Sequence, residues 1–178
     1  MNEVRRDFQF NVVACRNGLV SDVEETGCTE FLDYTSGGVI NDLDVGLTKN
    51  GAIEGIAFID LSGNGVQNLN DPGLDGVIVS LYSSSSELLE STMTSTVNDE
   101  PVIFQFSDLK ATDYYLVFEY PEDYIITNPD VGDDTMDSDI TGVFGEGSTN
   151  LFSIPSGTTV TNVDGGAFLP ASIGNRVW

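Results

Sequence analysis

The chain has no histidine, two cysteines and one tryptophan in 178 residues, and only six lysines and arginines stand against 29 acidic residues. Without histidine, the Cys-His and Ser-His nucleophile arrangements and the usual zinc and haem sites cannot be assembled from this chain. The net charge of −23 repels phosphate backbones and argues against a nucleic-acid partner; such a surface favours cations. No run approaches the roughly 18 apolar residues of a membrane span. Cys15 and Cys28 suit one disulfide in an oxidising compartment, or two buried thiols, and spacing alone does not choose between them. Asp7, Gln9 and Asn11 interrupt the apolar stretch ahead of Cys15, which argues against a cleavable leader there.

Turn chemistry is plentiful. Nineteen glycines and clusters of Ser, Thr, Asn and Asp separate short bursts of β-branched and aromatic residues, the pattern of an all-β chain. Strands are predicted over Ile53–Ile59, Gly76–Tyr82, Leu88–Thr96, Ile103–Ser107, Tyr114–Tyr120, Thr149–Ile154 and Thr158–Phe168. Seven short strands imply a β-sandwich. Alternation sets the faces: Val77, Val79 and Leu81 point one way, Ile78, Ser80 and Tyr82 the other, and Tyr114, Leu116 and Phe118 repeat the pattern. Ser62-Gly63-Asn64-Gly65, Asp71-Pro72-Gly73 and Asn128-Pro129-Asp130 supply turns, and Ser83 to Ser86 reads as an exposed hairpin tip.

An internal repeat organises the chain. A shift of 120 residues brings Ser36-Gly37 onto Ser156-Gly157, Asp44 onto Asp164, Gly46 onto Gly166 and Ile53 onto Ile173, with Phe58 landing on Trp178. Four segments follow: 1–18, of unclear origin; 19–50, the tail of a preceding repeat; 51–170, a complete repeat; and 171–178, the opening strand of the next.

Two acidic segments could carry chemistry. From Asp60 to Asp71, oxygen-bearing side chains fall at loop positions 1, 3, 5, 9 and 12 (Asp60, Ser62, Asn64, Asn68, Asp71), with Gly65 at position 6 and the Val66 carbonyl at position 7. That spacing is what calcium needs, because a hard cation takes six to eight oxygens around a sharp glycine turn. Ser62, the neutral Asn68 and the short Asp71 predict a modest affinity. An Asx-rich turn holding no ion uses the same residues. The second segment places Asp130, Asp133, Asp134, Asp137 and Asp139 within ten residues. Folded compactly these carboxylates would draw a counter-ion, whereas an extended, solvated loop would need none. A glycosidase's carboxylate pair finds no other support, and no enzyme activity is expected.

Taken together, Gly51 to Asp60, the Gly-Asn-Gly turn, Pro72-Gly73-Leu74-Asp75-Gly76 running into Val77 to Tyr82, Phe104 to Leu109, Tyr114, Asp134 to Asp139, and Asn162-Val163-Asp164-Gly165-Gly166 resemble the SdrD-type B domain. The resemblance covers residues 51 to 170, and Ala171 to Trp178 look like the start of a following domain. It implies a seven-stranded Ig-like sandwich of the Cna B type, arrayed in tandem on microbial cell surfaces and rigidified by Ca2+. By the same resemblance Asp60, Ser62, Asn64, Val66, Asn68 and Asp71 take the ligand positions; Asp133, Asp134, Asp137 and Asp139 are further candidate ligands from their clustering alone. Some related sandwiches carry Lys–Asn isopeptide bonds; neither Lys49 nor Lys110 stands where that bond needs it, so none is expected. The resulting expectation is an extracellular calcium-stabilised spacer whose partners are neighbouring repeats, with a host or matrix ligand unspecified. An adhesive or glycan-binding module, and a strand-complementing head-to-tail filament subunit, are the alternatives.

Overall fold

A computed structural model describes residues 48–95, 103–133 and 135–171. The expectations for Cys15 and Cys28, for residues 1–18, for nearly all of 19–50 and of 171–178, and for Asp134 fall outside the described residues.

The sandwich is built around β1 (Gly51–Ile59). Its sequence alternates small or apolar residues with more exposed ones, so Gly51, Ile53, Gly55 and Ala57 turn inward while Ala52, Glu54 and Ile56 are half-buried. Gly55 is required by close approach: a Cβ there would stand 2.2 Å from the Val163 carbonyl oxygen and 2.6 Å from the Phe104 ring. Phe58, on the opposite face, is also fully buried.

Eight further strands complete two sheets: β2 (Ile78–Ser83), β3 (Leu88–Met93), β4 (Ile103–Leu109), β5 (Asp113–Glu119), β6 (Ile125–Ile126), β7 (Phe152–Ser153), β8 (Thr159–Thr161) and β9 (Gly165–Phe168). One sheet runs β4-β1-β9-β6, with β8 also on β1; the other runs β3-β2-β5-β7. Every regular element among the described residues is a strand. The predicted inward rows are confirmed: Val77, Val79 and Leu81 lie beside Leu116 and Phe118 of the same sheet and share one core with Ile53 and Phe106 of the other. Each such fully buried side chain contributes about 2 kcal/mol. The outward row is less uniform than alternation suggests, because Tyr115 is buried between Tyr82, stacked at 5.1 Å, and Phe144, stacked at 4.4 Å. Ser83 to Glu87 does form a hairpin tip, closed by a bond from the Ser86 N–H to the Ser83 carbonyl.

Three predicted strands prove shorter, the first, Leu88–Thr96, ending as β3 at Met93. Thr149–Ile154 keeps only β7 and isolated bridges at Ser148 and Thr149. Thr158–Phe168 is broken: the pairing offset to β1 changes from 107 residues (Ala52 with Thr159) to 108 (Ala57 with Gly165), a one-residue bulge. Asn162 absorbs it with φ 87°, and the Asp164 carboxylate accepts the Ile56 N–H at 2.8 Å, replacing the ladder bond the bulge removes. β6 had no sequence signal beyond two isoleucines.

β8 and β9 run parallel to β1, so the chain enters at one end of the sandwich and leaves at the other. The upstream end gathers Thr48–Asn50, Lys110, Ser83–Glu87 and Pro155–Gly157; there the Lys49 N–H donates to Ser156 Oγ at 2.8 Å and the Gly157 N–H to the Lys49 carbonyl at 3.0 Å. The downstream end carries the loop from Asp60 to Asp71.

Candidate metal centre

That loop closes on itself around two carboxylates. Asp60 is fully buried; its Oδ1 accepts the N–H groups of Ser62 (3.2 Å) and Gly63 (2.7 Å) and the Ser62 hydroxyl (3.2 Å). Its Oδ2 accepts the Gly65 N–H at 2.8 Å and the Thr127 hydroxyl at 2.6 Å. Burial pushes this carboxyl up, but the bonds from Thr127, Gly65, Asn64 and Ser62 outweigh it, and the net shift is downward. Asp71 closes the other side: Oδ1 accepts the Leu61 N–H at 3.1 Å and Oδ2 the Asn68 N–H at 2.8 Å. Gly65 has φ 85°, and a Cβ there would meet the Asn128 carbonyl oxygen at 2.5 Å, so glycine is needed on both counts.

The Asn68 side chain identifies the loop's centre. Its Nδ2 donates to Val66 O and Asp71 Oδ2 at 3.0 Å each, and to Ser62 Oγ and Asn64 Oδ1 at 3.4 Å. Four oxygens, from positions 3, 5, 7 and 12, therefore converge on one electropositive group. A calcium ion binds oxygens at about 2.3–2.6 Å, so small inward movements and a turned amide, bringing Oδ1 inward, would convert a hydrogen-bonded hub into an oxygen cage. The converging donors are hard oxygens, one of them a carboxylate, of the kind calcium takes.

The described residues of the second acidic segment are tied to this loop. Asp137 bridges to Val66, the Gln67 N–H donates to the Met136 carbonyl at 2.6 Å, and the Ser138 N–H to the Gly65 carbonyl at 3.2 Å. Ser138, fully buried, also accepts the Gly166 N–H through its hydroxyl at 3.1 Å. Residues 136–138 thus strap the loop to β9. Asp139 Oδ2 accepts the Asp164 N–H at 2.6 Å. Asp133, exposed, accepts the Thr135 hydroxyl (2.8 Å) and N–H (3.1 Å), which hold its carboxyl below the ordinary value. Among the described residues, no group of three or more His, Cys, Asp or Glu side chains is arranged to hold a metal. The oxygens that converge in the 60–71 loop come from Ser62, Asn64 and a backbone carbonyl as well as from Asp71.

The sequence model of the SdrD B-like domain matches residues 51–167. The chain belongs to this family. It is 36% identical over 76 residues to the serine-aspartate repeat-containing protein D of Staphylococcus aureus (strain Newman), a match covering 43% of this chain and 6% of that protein. With serine-aspartate repeat-containing protein F of Staphylococcus epidermidis it shares 26% identity over 170 residues, 91% of this chain and 9% of the relative. With protein C of Staphylococcus aureus (strain Newman) it shares 33% over 121 residues, 67% of this chain and 12% of the relative. The chain thus spans a small fraction of each relative's length.

Within this SdrD B-like unit, sequence reasoning missed Thr127 and Asp164. Thr127 lies 67 residues from Asp60 and carries no local motif. Asp164 falls in the Asn-Val-Asp-Gly-Gly run, whose role emerges only once the bulge is seen. Burial pushes the Asp164 carboxyl up; the Ile56 N–H opposes this, the nearby Asp137 charge adds to it, and the result is a pKa of about 6. Tyr120 Oη is buried without a hydrogen-bond partner, and burial together with the Asp164 charge raises its pKa.

Proposed function

We propose that this SdrD B-like unit is a calcium-stiffened, non-catalytic spacer repeat of an extracellular surface protein. The observation carrying this reading is the convergence of Ser62, Asn64, Val66 and Asp71 oxygens on the Asn68 amide nitrogen. Asp60, Ser62, Asn64, the Val66 carbonyl, Asn68 and Asp71 would hold the ion. When bound, calcium supplies charge neutralisation in an acidic loop and a fixed junction between β1 and the return segment from Pro72.

Several features support a structural role. Asp60 is anchored from outside its loop by Thr127, and the loop is tied through residues 136–138 to β9, so an ion there would brace three segments. Membership in a family of repeat-containing proteins and a surface rich in carboxylates suit extracellular display. Among the described residues no helix is long and apolar enough to cross a membrane.

Thermal melting in millimolar calcium and in chelator tests the reading. A ligand at 100 times its Kd stabilises the folded state by about 2.7 kcal/mol, which corresponds to a rise of several degrees in a domain this size. Superimposable curves would refute it.

A further inference from the structure

Large apolar side chains stand exposed at the downstream end. Leu69 is fully exposed, and Leu61, Val131, Met136 and Leu169 are also open to solvent. The fold places them together. Ile59 pairs with Ala167 and the Asp60 N–H donates to the Ala167 carbonyl at 2.8 Å, so Leu61 and Leu169 follow the paired ends of β1 and β9. Gln67 is bonded to the Met136 carbonyl, and Val131 lies against Gly65. Apolar residues gathered at one end and rimmed by charge mark an interaction surface.

Position in the chain names the occupant. The 120-residue repeat aligns Leu169 and Pro170 with Lys49 and Asn50, and Ala171 with Gly51. Two residues therefore separate the end of β9 from the position that corresponds to the start of β1. Three Cα steps span at most roughly 11 Å, and Pro170 stiffens the connection by fixing its own φ. A unit beginning there would bring its upstream end against the loop from Asp60 to Asp71. Both lysines of the described residues, Lys49 and Lys110, are exposed at the upstream end, beside exposed Glu87 and Asp113, and exposed Asp130 and Asp133 flank the downstream one.

We propose that the downstream end, centred on Leu61, Leu69 and Met136, is the docking surface for the upstream end of the next repeat, fixing adjacent units in one orientation. This rests on the spacer reading and adds that stiffness lies between units as well as within them.

The test uses this chain with residues 51–170 duplicated in register, so that Pro170 leads directly into a second Gly51. Oxidation by dilute hydrogen peroxide is followed by mass spectrometry in calcium buffer. In the original chain Met136, 45% exposed, and Met93, 62% exposed, should both react readily. In the duplicated chain Met93 keeps one phase, while Met136 splits into two equal populations, one slowed several-fold. Leu69→Ser in the first copy should abolish the slow phase, and the same substitution in the original chain should leave its melting unchanged because Leu69 packs on nothing. Lys110→Glu in the second copy should weaken the protection. A single Met136 phase at the original rate, in a duplicated chain that melts like the original, overturns the proposal. Calcium dependence of melting is scored separately, so loss of the metal reading and loss of docking give different results.

Discussion

Asn68→Asp should change stability in opposite directions with and without calcium. In the structure Asn68 Nδ2 lies 3.0 Å from both Asp71 Oδ2 and Val66 O. Aspartate removes that donor and sets a second carboxylate beside Asp71. Like charges about 4 Å apart repel by ~1 kcal/mol in water and ~4 kcal/mol at an effective dielectric of 20; an exposed loop sits near the lower value. The lost hydrogen bonds add about 1 kcal/mol. Without calcium the variant should therefore lose about 2–3 kcal/mol, or on the order of 10 °C in Tm. With calcium the added carboxylate becomes a ligand, and each tenfold gain in affinity returns about 1.4 kcal/mol. Paired melting curves in calcium and chelator, with calorimetric titration for affinity, give the readout. The calcium-induced rise in Tm should be larger in the variant than in the parent. An equal loss in both buffers would show that no cation occupies the loop's centre, and the reasoning would fail.

Thr127→Val keeps the side chain's shape but removes the hydroxyl that donates to Asp60 Oδ2 at 2.6 Å; a hydrogen bond to a charged group contributes about 1.5–3 kcal/mol, so urea unfolding should show a loss near 2 kcal/mol, and a change below about 0.5 kcal/mol would contradict this. The lowered Asp60 pKa contributes stability that is present above the unfolded value and lost as pH falls through the folded one, so the variant should also begin acid unfolding at higher pH. Asp164 acts with the opposite sign. Its pKa rises from 3.8 to about 6 on folding, so the folded state binds the extra proton between those values, and stability falls as pH rises through that window, by up to about 3 kcal/mol. Asp164→Asn keeps an oxygen for the Ile56 N–H and should flatten melting temperature against pH between about 4 and 6.5 in chelator; an unaltered slope would assign that dependence elsewhere.

Local patterns carried much of this reading. The period-two rows of β2 and β5 follow from burying one face of each strand, and Val77, Val79, Leu81, Tyr114, Leu116 and Phe118 all lie in the core. The loop from Asp60 to Asp71 was legible because its oxygens and Gly65 follow a fixed spacing within twelve residues. What stayed hidden depends on distant partners. The break between β8 and β9 exists because Asp164 can cap Ile56, 108 residues away. Density of carboxylates in the second acidic segment said nothing of its geometry, which is set by Asp137 and Ser138 pairing with Val66 and Pro129. Thr127 became visible only when the turn before Pro129 was brought beneath Asp60.

The parallel pairing of the first strand with the last two has a mechanical consequence. A pull on Gly51 and Phe168 in opposite directions acts along the β1–β8 and β1–β9 ladders, at right angles to their hydrogen bonds. Those bonds are loaded in shear and must give way together, rather than opening one at a time as in a zipper, so the unit resists extension most strongly along the line that joins the start of β1 to the end of β9.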